Sequence, residues 1–302
     1  MTVAAPPVPQ HLLRVTDLEA ASLAALLDLA AVMKERPHGF VEALRGDTVV
    51  CYFEKPSTRT RVSFAAAAER LGMMPLVLGP DELQLGRGET LEDTARTLSG
   101  YAAAIVVRTF AQETVERLAA AAHAPVVNAL TDEHHPCQAL ADLLTLRERF
   151  GQLEGLKVAY VGDGNNVATS LLEASALVGI DAVAACPPGF EPEVPGAKIV
   201  SDPLEAVAGA DAVYMDVWVS MGDEAARREH LQALEPYRVD ARLLAAARPG
   251  AVFMHCLPAH RGEEVTADVI DGPQAIVWQQ AENRLPTEEA LLYALVLRRW
   301  EP

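Results

Sequence analysis

Residues 49–61 read Val49-Val50-Cys51-Tyr52-Phe53-Glu54-Lys55-Pro56-Ser57-Thr58-Arg59-Thr60-Arg61. The unbroken apolar run ending in Glu-Lys-Pro predicts a buried strand over Val49–Glu54, a turn, and a helix over Thr58–Leu71. Ser57 suits the N-cap, which leaves the amides of Thr58, Arg59 and Thr60 as unpaired first-turn donors. Those amides, the helix dipole, the hydroxyls of Ser57, Thr58 and Thr60, and the Arg59 guanidinium together suit a phosphate. Arg61 adds a second cation. A capped helix with solvated arginines fits the same letters. No G-x-x-x-x-G-K-[ST] loop occurs, so the segment is not of the Walker type.

Outward from this stretch, short apolar runs alternate with helical patterns, the habit of parallel α/β sheets. Further strands are expected at Ala104–Arg108, Val126–Asn128, Lys157–Gly162, Ala182–Cys186, Ala212–Val217, Val252–Cys256 and Ala275–Trp278. Helices are expected at Ser22–Glu35, Thr90–Tyr101, Glu113–Ala121, Pro136–Phe150, Ala168–Val178 and Thr287–Trp300. Breaks at Gly151–Gly155 and near Pro286 predict two domains, residues 1–150 and 151–286. The final helix, in residues 287–302, has no strand after it and is expected to pack back on the first domain. The expected fold class is α/β, two doubly wound parallel-sheet domains with the active site in the cleft between them. Glu54–Ser57, Arg108, Asn165-Asn166, Asp216 and His255-Cys256 all fall at or just past C-terminal strand ends, the edge where open parallel sheets bind ligands.

The chain has 302 residues, half of them hydrophobic, enough for two domains with real cores. Its 42 acidic and 25 basic residues give a formal charge of −17, which argues against nucleic acid or an anionic membrane as partner. No apolar run approaches the roughly 20 residues of a membrane span, and the start lacks a signal-peptide pattern. Four cysteines, with no C-x-x-C pair, read as reduced thiols of a cytoplasmic protein.

Pro136 suits a first helical position, placing His135 at the cap and Gln138 on the same face of the first turn. Two neutral polar groups so placed can hydrogen-bond a planar amide-like group, although capping alone also accounts for such a histidine. His134, His135 and Cys137 hint at a metal but lack the paired spacing of a zinc site. Gly162 and Gly164 begin a dinucleotide fingerprint, but Val167 stands where its third glycine belongs. Asp216 suits an α-ammonium group, and Ser220 with the Met221 amide suits an α-carboxylate. Asp216 through Glu224 contains no Lys or Arg for a second substrate carboxylate.

Phe53–Arg61 resembles the carbamoyl-phosphate motif of the aspartate and ornithine carbamoyltransferases. His135-Pro136-Cys137-Gln138, Asp216-Val217-Trp218-Val219-Ser220-Met221-Gly222 and His255-Cys256-Leu257-Pro258 resemble three further motifs of the ornithine branch, in order, within a likeness running from about His11 to Arg299. The resemblance implies transfer of the carbamoyl group of carbamoyl phosphate to the δ-amine of L-ornithine, with no cofactor and no metal. It implies that carbamoyl phosphate is held by Ser57, Thr58, Arg59, Thr60, Arg108, His135, Gln138, Cys256, Leu257 and Arg284. It also implies that Gln84 reaches a neighbouring subunit's site in a homotrimer or a multiple of trimers. Ornithine would meet Asn166, Asp216, Ser220 and Met221, with Asn165 structural. Arg108, His135 and Cys256 would act in catalysis, and the Leu257–Pro258 bond would be cis. Other readings are a carbamoyltransferase for aspartate, putrescine or N-acetylornithine, a phosphate-ligand-binding regulator on the same fold, and a dehydrogenase.

Overall fold

The computed structural model describes residues 5–218 and 227–301. The chain divides into two compact units, Met1–Leu144 with Asn283–Pro302, and Thr145–Glu282. The first division falls inside the continuous helix Pro136–Phe150; Gly151, at φ 80°, serves instead as that helix's left-handed C-terminal residue.

The first unit holds a four-stranded parallel sheet of β1 (Thr48–Phe53), β2 (Met74–Leu78), β3 (Ala104–Arg108) and β4 (Val126–Leu130), in the order β2-β1-β3-β4. Val49–Cys51 and Ala104–Val107 are buried on both faces, as the β-branched runs of a helix-covered parallel sheet must be. The chain leaves β1 for β2 on one side and returns to β3 on the other, so strand order reverses between β1 and β3. Phe53 pairs with Arg108 there, which brings the Glu54–Ser57 turn and the Arg108 side chain out side by side at the switch point. Opposite Val107 and Arg108, β4 carries one extra residue, Ala129, so the register shifts there.

The second unit repeats the rule with five parallel strands: β5 (Lys157–Val161), β6 (Asp181–Ala185), β7 (Lys198–Val200), β8 (Ala212–Met215) and β9 (Val252–His255), in the order β7-β6-β5-β8-β9. Its reversal lies between β5 and β8, whose ends deliver Asn165 and Asp216 respectively. No helix among the described residues is long and apolar enough to cross a membrane.

Several local expectations need correction. The helix expected from Thr58 runs over Arg59–Arg70, and Thr58, not Ser57, is its N-cap: the Thr58 carbonyl accepts from the Val62 amide. Adjacent Ser and Thr are both good caps, so the letters do not distinguish them. The first-turn donors are therefore the amides of Arg59, Thr60 and Arg61. β2 escaped prediction because Pro75 interrupts it; a proline is tolerated there because β2 is an edge strand. β7 is a three-residue, largely exposed edge strand, too short for Ile199-Val200 to stand out as a strand. The expected strand Ala275–Trp278 is a single bridge, Ala275 to Phe253, after which Val277–Glu282 is helical. Short apolar runs do not separate these two states. The last helix spans Arg284–Leu297, starting before Pro286 because a first-turn proline loses no intrahelical bond.

That last helix packs on the helices Ala20–Glu35 and Arg59–Arg70, burying Leu291, Leu292 and Leu295 in the first unit. Leu291→Ala is expected to destabilise the protein by about 2–5 kcal/mol, read as a lower denaturation midpoint. An unchanged midpoint would contradict the packing described.

Candidate active site

At the first switch point the central group is Arg284, in the first turn of the helix Arg284–Leu297 and only 6% exposed. Its Nε and Nη2 donate to Glu288 Oε1 at 3.0 and 2.6 Å, its Nη1 to Gln138 Oε1 at 3.0 Å, and Nη2 also to Thr60 Oγ1 at 3.3 Å. Three segments far apart in sequence thus converge on one guanidinium. Gln138 donates its Nε2 to Asp142 Oδ1 at 2.8 Å, which fixes the amide so that its oxygen faces Arg284. An amide carries two N–H groups and two lone pairs, so one donor and one acceptor position of Gln138 remain for a ligand.

His135 caps the helix Pro136–Phe150, its carbonyl accepting from the amides of Gln138 and Ala139 at 3.1 and 3.3 Å. The side chain is buried. Burial, and then the guanidiniums of Arg284, Arg108 and Arg59, hold its imidazole far below the usual range, so His135 is neutral in the working range. The same interaction places Arg59, Arg108, His135 and Arg284 within one electrostatic neighbourhood. A cation-rich group with a neutral imidazole and a fixed amide suits a small anion bearing a planar amide group.

Thr60 is buried against Arg284, whereas Thr58 and Arg59 are exposed and Ser57 half-buried at the same turn. Beneath them, Glu54 accepts from the Thr109 hydroxyl and Lys55 pairs with Asp132, its ammonium 4.4 Å from the Phe110 ring centroid. Gln84 is exposed on the segment after β2, where its Oε1 accepts from Arg87 at 3.2 Å.

In the second unit, Asn165 caps the helix Asn166–Val178, its Oδ1 accepting from the Val167 and Ala168 amides at 3.0 and 3.2 Å. The Tyr160 hydroxyl donates to the same oxygen at 3.2 Å, and Asn165 Nδ2 donates to Asp216 Oδ2 at 3.0 Å. Asn165 is therefore engaged in scaffolding, with Asn166 next to it at the first helical position. Burial raises the Asp216 carboxyl; His255, the Val217 amide and Asn165 oppose that rise. Ser220 and Met221 lie outside the described residues.

After β9 the chain turns through Cys256, Leu257 at φ 61°, and a cis Leu257–Pro258 bond. The Leu257 amide donates to His255 Nδ1 at 2.8 Å, and His255 Nε2 stands 3.4 Å from Glu264 Oε1. Cys256 is half-buried at this turn.

Gly162 and Gly164 have local uses. Gly162 sits at φ 128°, and a Cβ on Gly164 would stand 2.4 Å from Phe190 O and Pro192. The Gly164 amide donates to that same carbonyl at 2.8 Å, so the glycine serves loop packing, not the approach of a pyrophosphate. Among the described residues, His260, Glu263 and Glu264 bring donor atoms within 4.8 Å of one another, as a cation would need. One oxygen of Glu264, Oε1, is engaged, accepting from the His260 backbone amide and facing His255.

Sequence reasoning missed Asp142 and Glu288. Each stands four residues after the motif residue it holds, a spacing that faces side chains together on a helix, and that signal was present in the letters.

The N-terminal portion matches the family model for the aspartate/ornithine carbamoyltransferase carbamoyl-P binding domain over residues 10–148, and the following portion matches the Asp/Orn binding domain over residues 154–295. The chain is 51% identical to an ornithine carbamoyltransferase of Parafrankia sp. (strain EAN1pec), covering 95% of this chain and 96% of the relative. It is 49% identical to that of Bacillus subtilis (strain 168), covering 96% and 94%. Among solved structures it resembles the ornithine carbamoyltransferases of Pyrococcus furiosus, with TM-score 0.91, 45% identity and 97% and 98% coverage, and Thermus thermophilus, with TM-score 0.89, 44% identity and 96% and 99% coverage. With the matched domains together spanning most of its length, and with the arginine-lined strand ends described above, the chain belongs to the aspartate/ornithine carbamoyltransferase family.

Proposed function

We propose that the protein is an ornithine carbamoyltransferase, converting carbamoyl phosphate and L-ornithine to L-citrulline and phosphate. The observation that carries the reading is the buried Arg284–Gln138–Thr60 group beside a neutral His135, a match to the charge and hydrogen-bonding pattern of carbamoyl phosphate. The similarity to proteins bearing that name across nearly the whole chain supports ornithine as the acceptor.

In this reading Ser57, Arg59 and Thr60 hold the phosphate, with the Arg59–Arg61 amides aimed at it. Thr58, Arg108 and His135 meet the carbamoyl oxygen, and Gln138, Leu257 and Arg284 orient the carbamoyl group. Asn166, Asp216, Ser220 and Met221 bind ornithine, and Cys256 lies beside its side-chain amine. That amine must be neutral to attack, yet with a lysine-like pKa only about one in 2,500 is neutral at pH 7. The nitrogen lone pair forms the new C–N bond, the nitrogen loses a proton, and phosphate leaves with the electrons of the C–O bond. Negative charge gathering on the carbamoyl oxygen is met by Thr58, Arg108 and His135. The chemistry needs no metal, nucleotide or covalent enzyme intermediate.

We further assign Gln84 to a neighbouring subunit's site in a trimer-based assembly; its exposure supports that role. The widely spaced cysteines support a cytoplasmic setting.

Arg59→Ala is expected to weaken carbamoyl phosphate about 10- to 100-fold, the cost of a charged hydrogen-bond partner, with unchanged affinity refuting the phosphate assignment. Asp216→Asn is expected to raise the ornithine KM while calorimetry finds carbamoyl-phosphate binding intact; two normal affinities would place ornithine elsewhere. Turnover should rise from pH 6 to 8 as the amine deprotonates, because His135 is already neutral. A pH-rate profile with a fall over that range would contradict this. Parallel assays with aspartate, putrescine and N-acetylornithine should yield little product beside ornithine, and preference for any of them would displace the proposal.

A further inference from the structure

We infer that Glu288 is a positioning residue for carbamoyl-phosphate binding, holding the plane of the Arg284 guanidinium and, through it, the Gln138 amide. The inference rests on the assignment of Arg284 to carbamoyl phosphate made above.

Glu288 stands one helical turn after Arg284, and both side chains are buried, at 1% and 7% relative exposure. A single carboxylate oxygen accepts from Nε and Nη2 together. A guanidinium is a rigid planar fork, so holding two of its nitrogens on one oxygen fixes the plane and directs Nη1. That nitrogen reaches Gln138 Oε1 at 3.0 Å. The opposite end of the Gln138 amide is held by Asp142, itself buried one turn along the other helix. Glu288, Arg284, Gln138 and Asp142 thus form a chain in which two carboxylates on two helices fix a cation and an amide between them. A ligand meeting this chain finds its partners already oriented, which lowers the ordering cost of binding.

Charge and position give opposite predictions for Glu288. An anion beside a binding site for a phosphorylated ligand repels that ligand, so a purely electrostatic Glu288 would weaken binding, and its removal would tighten it. A positioning Glu288 strengthens binding, and its removal loosens it.

The test is steady-state kinetics on the full-length assembled protein with Glu288→Ala, Glu288→Gln, Glu288→Asp and Arg284→Ala, each with a melting temperature. Glu288→Ala is expected to raise the KM for carbamoyl phosphate about tenfold or more, leaving the ornithine KM at saturating carbamoyl phosphate within about twofold. Glu288→Gln keeps an oxygen acceptor in place and should recover most of the loss. Glu288→Asp keeps the charge but withdraws the oxygen by one methylene, and should again raise the carbamoyl-phosphate KM; this variant decides the matter if Glu288→Ala does not fold. A carbamoyl-phosphate KM that stays constant or falls in Glu288→Ala and Glu288→Asp, even with lower melting temperatures, overturns the inference and leaves Glu288 a structural residue. If Arg284→Ala also leaves that KM unchanged, the failure lies with the placement of Arg284 at the ligand.

Discussion

Burying a guanidinium constrains this structure more than any other single choice. Arg284 cannot shed its proton, and an uncompensated buried cation costs several kcal/mol. The hydrogen-bonding directions its neighbours supply are therefore needed, among them those from Thr60, Gln138 and Glu288. The helix that carries Arg284 follows the last element of the second unit in sequence yet belongs to the first. Its apolar face, through Leu291, Leu292 and Leu295, is what brings the cation to the strand ends of β1 and β3.

The two sheets solve the same problem in the same way. In each, strand order reverses beside a central strand, and the two chain segments leaving that reversal carry the polar residues. In the first unit these are the 54–61 turn and Arg108, with cations dominating; in the second they are Asn165 and Asp216, with a carboxylate dominating. The contrast in charge fits a phosphorylated ligand at one edge and an ammonium-bearing one at the other.

Much of this was legible in the letters because parallel strands buried on both faces leave continuous apolar runs, and because ligand residues follow their ends. What failed had specific causes. Pro75 hid an edge strand, Ala275–Trp278 imitated a strand where a helix begins, and adjacent Ser57 and Thr58 competed for one cap. Pro286 read as a stop although it lies inside a first turn. The helix partners Asp142 and Glu288 could be found by their spacing, but not the hydrogen bond that joins the two pairs, since Gln138 and Arg284 lie 146 residues apart. The cause of His135's neutrality was illegible for the same reason: it lies in burial and in three arginines contributed by separate segments.

The central claim is that a fixed cluster of arginines, and not a titrating acid, confronts the carbamoyl group, with His135 neutral among them. Nitrogen-15 NMR of selectively labelled histidine, followed from pH 8 to pH 5.5, tests this most directly. The account predicts that the His135 ring nitrogens keep the shifts of a neutral imidazole throughout. A transition to imidazolium near pH 6.5, the ordinary histidine value, would contradict it.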